Sequence, residues 1–233
     1  MIPIFLFLIA VVLLAVLFGA TDLHLHRKKR SERAHRVACV GDSITNGALI
    51  PDCFRYSYPS RLQRLLGGTY HVENFGLNDR TLQFSGDKPY SNEAEYRNSL
   101  SFIPDTVVIL LGTNDTRAVN WHSTERFLSE YRVLLQRYAA LNSRPRLILC
   151  TPPWATDAPN RIARLTNDTV ADRLPAIVDA VKAVGAEYAL PVVDLYTAFK
   201  GRKDLLSYDG VHPNRKGAAL IAQRVADSIS DTP

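Results

Sequence analysis

The chain has 233 residues, 46% apolar and 22% charged, which suits one full-sized globular core plus an extra segment. Its formal charge of +5 is largely local, because residues 26–36 hold six Lys or Arg against one Glu. Charges elsewhere nearly cancel, which argues against the spread basic face of a nucleic-acid binder; three cysteines with no Cys-x-x-Cys or Cys/His cluster argue against a disulfide framework or a zinc site.

Residues 2–21 carry no charge and are mostly Leu, Val, Ile, Phe and Ala, about the 20 residues a helix needs to cross a bilayer. Pro3 sits at the start, where proline is tolerated. Residues 1–21 are therefore expected to form an N-terminal hydrophobic helix that anchors the protein to a lipid bilayer. A cleaved signal peptide, giving a secreted protein, is the competing reading. It is weakened because nothing basic precedes Ile2 and Phe18 stands where a small residue belongs. Residues 22–35 form a basic linker. By the positive-inside rule its flank belongs in the cytoplasm, but a solvated linker or one touching anionic lipid fits equally, so the side of the membrane stays open.

The folded domain is expected over 36–230. "RVACV" (36–40) predicts a strand and "YPSRLQRLLGG" (58–68) a helix stopped by two glycines. "HVENF" (71–75) is a second strand, and "DTVVILLG" (105–112) a third of the kind buried on both faces. A helix follows over 123–141, with Phe127, Tyr131, Leu134, Leu135 and Tyr138 at helical spacing. "RLILCTPP" (146–153) is a fourth strand. A helix over 168–184 contains Pro175, which either kinks it or marks its true start. "PVVDLY" (191–196) is the fifth strand, and 214–229 a final helix capped by Asn214. Cys39 and Cys150 fall in apolar strands and read as small core residues. The alternation predicts an α/β three-layer sandwich with a five-stranded parallel sheet.

In such sheets, sites form beyond the carboxyl ends of the strands. Four unusual stretches belong there: "GDS" with Ser43 after the first strand, "NFGLNDRT" (74–81) after the second, "GTND" (112–115) after the third, and "YDGVHPN" (208–214) before the last helix. Each alone is ordinary turn chemistry. Jointly they bring a nucleophile, hydrogen-bond donors, a carboxylate and an imidazole to one rim, the inventory for acyl transfer.

These stretches resemble the four blocks of the SGNH, or GDSL, hydrolases, in order, over almost all of residues 36–229. The resemblance implies that family's flavodoxin-like fold and a serine esterase needing no cofactor or metal. It puts Ser43 in the nucleophile position, Asp209 and His212 in the last block, and oxyanion donors at the Ser43 and Gly76 backbone N–H groups and the Asn114 side chain. His212 serves as base because imidazole titrates near neutrality, and Asp209 fixes its tautomer. Where the family's second block often carries a further glycine, this chain has Asn78, Asp79 and Arg80. "GDKPY" (86–90), "LGTNDTRAVNW" (111–121) and "TPPW" (151–154) are similar to the carbohydrate (sialate-type) O-acetylesterase branch. The expected substrate is thus a small-molecule or glycan ester, most simply an acetyl ester. A lysophospholipase or thioesterase, and an acyltransferase to an acceptor other than water, are the alternatives. Trp121, Trp154, Tyr90 and Arg80 are candidates to line the substrate site, each with a competing structural role. Asp42 is read as holding the turn, and Asp115 as orienting Asn114 or capping the following helix. Oligomeric state is not legible.

Overall fold

A computed structural model describes residues 34–156 and 170–230. The hydrophobic helix expected over 1–21, the bilayer contact and localisation drawn from it, and the linker as far as residue 33 lie outside these residues. Among the described residues, no helix is long and apolar enough to cross a membrane.

Five parallel strands form one sheet: β1 (His35–Gly41), β2 (Tyr70–Gly76), β3 (Thr106–Leu110), β4 (Arg146–Cys150) and β5 (Val192–Val193), in the order β2-β1-β3-β4-β5. β1 is buried on both faces because successive side chains feed two cores. Val37 and Cys39 join a cluster with Tyr58, Leu62, Phe199 and Ile221, while Ala38 and Val40 join one with Phe127, Tyr131, Ile177 and Val181. Burial drives the Cys39 thiol up to about 12 and the Cys150 thiol higher still, so both are inert core groups.

The helices are α1 (Ser43–Asn46), α2 (Cys53–Tyr56), α3 (Tyr58–Leu66), α4 (Ala94–Ser101), α5 (Thr124–Ala139), α6 (Val170–Glu187), α7 (Leu195–Phe199) and α8 (Arg215–Ser230). α3 and α8 cover one face of the sheet; α5 and α6 cover the other. The expected three-layer arrangement is therefore present. Pro175 lies inside α6 and neither starts nor ends it. Asn214 caps α8 by accepting from the Lys216 and Gly217 N–H groups at 2.8 and 3.2 Å. The fifth strand is much shorter than expected. Asp194 accepts from the Thr197 N–H at 3.0 Å and the Thr197 hydroxyl at 2.7 Å, and this cap turns the chain into α7 after two strand residues.

The register fixes the rim. Gly41 pairs with Gly76 on one side and Leu110 on the other, so β1, β2 and β3 end level.

Candidate active site

Ser43 is the first residue of α1, immediately beyond the end of β1. Asp42 caps this short helix, its Oδ1 accepting from the Ile44 N–H at 2.9 Å, so its expected role in holding the turn agrees with the structure. Asp42 is fully buried, and among the described residues its Oδ2 has no hydrogen-bond partner. Burial pushes its carboxyl up to about 7, although the Ile44 amide and the charge of His212 pull it down.

The loop before α8 delivers the other reacting groups. His212 Nε2 lies 2.8 Å from Ser43 Oγ, and His212 Nδ1 makes a short hydrogen bond with Asp209 Oδ2. Asp209 Oδ1 accepts from the Val211 and His212 N–H groups at 3.1 and 3.0 Å, which locks the carboxylate on its own loop. Burial raises the Asp209 carboxyl, but the His212 bond and these two amides outweigh it and hold it below its usual range. Burial likewise depresses His212, yet the bond and charge of Asp209, helped by Asp42 and Asp79, leave it above 6.5. With Nδ1–H donated to Asp209, the lone pair on Nε2 faces the serine hydroxyl. This arrangement can take a proton from Ser43 and stabilise the imidazolium that results.

The donor side differs from expectation at Gly76. Its N–H donates to Asn74 Oδ1 at 2.9 Å and is therefore already engaged. Glycine is required there for close packing: a Cβ would stand 2.3 Å from the Asn46 nitrogen and 2.7 Å from the Thr45 carbonyl carbon, inside the backbone of α1. The segment bridging Ser43 and Asn114 is instead the turn after Gly76. Asn46 Nδ2 donates to Asn78 Oδ1 at 2.8 Å, and Asn114 Nδ2 donates to the Arg80 carbonyl at 3.1 Å. Within this turn Asp79 adopts φ 66°, the left-handed conformation that glycine favours. Among the described residues, neither the Ser43 nor the Asp79 N–H has a hydrogen-bond partner. Asn114 has one amide hydrogen left after its bond to Arg80.

Other expectations divide. Tyr90 is 1% exposed and donates to the Phe75 carbonyl at 2.7 Å, so it is a core residue and does not line the site. Arg80 is held by Glu93 at 2.9 Å and by the Asn78 carbonyl at 2.7 Å, which makes it a brace for the turn. Trp121 and Trp154 are half-buried and pack against opposite cores, both on the rim side. Asp115 neither orients Asn114 nor caps a long helix. Its buried carboxylate accepts from the Leu82 and Gln83 N–H groups at 2.9 Å each, pinning the chain after β2 to the "GTND" turn. Phe54 and Tyr208, which the sequence pattern does not single out, are 92% and 89% exposed. Among the described residues, no cluster of three His, Cys, Asp or Glu side chains could hold a metal ion.

The model of the GDSL-like lipase/acylhydrolase family matches residues 39–220. An acetylxylan esterase of Xylanibacter ruminicola is 36% identical over 85% of this chain, which spans only 44% of that relative. A GDSL lipase of Mycobacterium tuberculosis is 26% identical over 85% of this chain and 83% of its own length. Among solved structures, an aryl esterase of M. smegmatis superposes with a TM-score of 0.71 at 19% identity, covering 84% of this chain and 98% of its own, which shows a shared fold.

Proposed function

The chain belongs to the GDSL-like lipase/acylhydrolase family, and from that premise we propose that it is a serine O-acetylesterase acting on acetylated carbohydrate. The observation that carries this reading is the Ser43 Oγ to His212 Nε2 distance of 2.8 Å, with Asp209 on the other ring nitrogen. Ser43 Oγ attacks the ester carbonyl carbon while His212 Nε2 takes its proton. The tetrahedral oxyanion is met by the Ser43 N–H, the free amide hydrogen of Asn114, and the Asp79 N–H in place of Gly76. Each such donor is worth about 2.7–4 kcal/mol to the transition state. Collapse expels the alcohol, which takes the proton from His212. Water, deprotonated by His212, then attacks the acyl-enzyme, and acetate leaves as His212 returns the proton to Ser43 Oγ.

The 36% identity to an acetylxylan esterase supports the acetyl and carbohydrate specificity. So does the turn beside Ser43, whose Asn78, Asp79 and Arg80, joined to Asn46, give the site a polar edge. A long acyl chain needs a continuous apolar groove, gaining up to about 0.8 kcal/mol per buried methylene. The uncharged run 2–21 supports attachment of the domain to a bilayer.

A nitrophenyl ester series tests the reading. The expected result is kcat/KM greatest at acetyl or propionyl and falling beyond butyryl, with acetate released from acetylated oligosaccharides. A steady climb to octanoyl or decanoyl overturns it in favour of a lysophospholipase or thioesterase.

A further inference from the structure

We propose that Arg55, Arg61 and Arg215, gathered round Tyr56 beside the catalytic loop, with Arg64 bonded to Arg55, form a subsite for anionic sugar residues, so that the preferred substrate is an acetylated acidic glycan. This rests on the esterase reading and narrows its substrate class.

The guanidinium carbons of Arg215, Arg61 and Arg55 lie 3.9, 5.2 and 5.6 Å from the centre of the Tyr56 ring. Their fixed hydrogen bonds go to neutral carbonyls. Arg215 donates to Pro51 at 2.9 Å, Arg61 to Tyr56 at 3.2 Å and Arg64 to Arg55 at 2.7 Å. Arg80, Arg126, Arg132 and Arg202 each pair with a carboxylate, whereas Arg97 and Arg146 also donate to carbonyls but stand singly. Among the described residues, none of the four arginines of the cluster pairs with a carboxylate. Burial first, and then the neighbouring charges of Arg64 and Arg215, hold the Arg61 guanidinium below its usual value. Crowding of like charges is unfavourable unless an anion relieves it.

The cluster adjoins the chemistry. Arg215 is three residues beyond His212, and its bond to Pro51 clips the turn leading into α2 onto the first turn of α8. Cys53 and Ser57 abut Gly47 at the end of the nucleophile helix. Phe54, between Cys53 and Arg55, and Tyr208, before Asp209, present nearly bare rings of the kind on which sugar faces stack. The planar guanidinium fork suits carboxylate, and sulfate or phosphate offers the same chemistry. A glycan is favoured over a membrane surface because the chain enters the sheet at His35, the edge opposite Ser43 and Arg215.

The test compares acetate release by the full chain from acetylated oligogalacturonate, an acetylated sulfated glycan, and acetylated xylo-oligosaccharide free of uronate. The expected kcat/KM ratio of acidic to neutral substrate is well above one at low ionic strength. It collapses towards one at about 1 M salt, where the Debye length is about 3 Å. The triple variant Arg55→Gln/Arg64→Gln/Arg215→Gln lowers the ratio about tenfold, mainly through KM, as expected for three exposed ion pairs. A larger ratio with the sulfated glycan supports the subsite and names sulfate as its ligand. A wild-type ratio near one that ignores salt overturns the subsite without any variant. Binding to anionic vesicles that the triple variant loses, with the glycan ratio unchanged, overturns it in favour of a bilayer. Equal acetate release from all glycans fails only the subsite; no release from any of them or from nitrophenyl acetate fails the esterase reading itself.

Discussion

Asp42→Asn gives a quantitative test of how burial and charge are balanced behind the nucleophile. The substitution keeps the Oδ1 acceptor that caps α1 through the Ile44 N–H and replaces the titratable Oδ2 with an uncharged NH2 group. Burial raises the folded carboxyl from 3.8 to about 7. The folded state therefore holds this proton more tightly than the unfolded chain. Its contribution to stability falls as pH rises from 3.8 to about 7, where the folded group ionises at last. At about 1.36 kcal/mol per pKa unit, the loss between pH 5 and pH 8 is on the order of 2–3 kcal/mol. Urea unfolding of both proteins at several pH values measures it directly. Relative to Asp42→Asn, the wild type is expected to lose about that much stability across the interval. Parallel pH–stability curves refute the reasoning. The same variant has a kinetic signature. Asp42 helps raise His212, and His212 acts as base only when neutral. Removing the carboxylate is expected to move the acid limb of kcat/KM to lower pH; an unmoved limb means that Asp42 does not act on His212.

Asn114→Ala is expected to reduce kcat by about 10²–10³ with little change in KM, the usual effect of removing one oxyanion donor; steady-state kinetics showing a change in KM alone assigns Asn114 to substrate binding instead. Gly76→Ala places a Cβ 2.3 Å from the Asn46 nitrogen and is expected to lower both thermal stability and kcat by displacing α1, whereas native-like melting and turnover contradict the close packing. Full-length protein is expected to fractionate with membranes and to resist high-salt extraction, while a truncated form starting near Arg33 stays active in solution. Release by salt alone, or a mature N-terminus near Thr21, contradicts the anchor.

The strands were legible because continuous apolar runs suit positions buried on both faces. "RVACV" and "DTVVILLG" mark β1 and β3 to within a residue or two. That Ser43, Asp209 and His212 share one rim was legible as well, because the stretches carrying them fall beyond the carboxyl ends of the strands. The sequence overstates β5 because Leu195 and Tyr196 continue an apolar run, and only the Asp194 cap reveals the helix. α4 was missed because little of it faces the core, chiefly Tyr96 and Ser99. Gly76 shows a different limit. Its need for a missing Cβ was readable, but not that the Asn74 side chain takes its N–H. Nor could Asp79 be recognised as filling a left-handed position from its residue type. Arg55 on α2 and Arg61 and Arg64 on α3 carry no motif that marks a site, and only the fold brings Arg215 onto the same tyrosine as Arg55 and Arg61.

The central claim is that Ser43 carries the acyl group. Rapid quenching of full-length protein mixed with nitrophenyl acetate, followed by peptide mass analysis, tests it most directly. The expected result is a burst of nitrophenol with acetyl on the peptide containing Ser43, both absent from a folded Ser43→Ala variant. Near wild-type turnover by that variant, or acetyl on another residue with Ser43 unmodified, contradicts it.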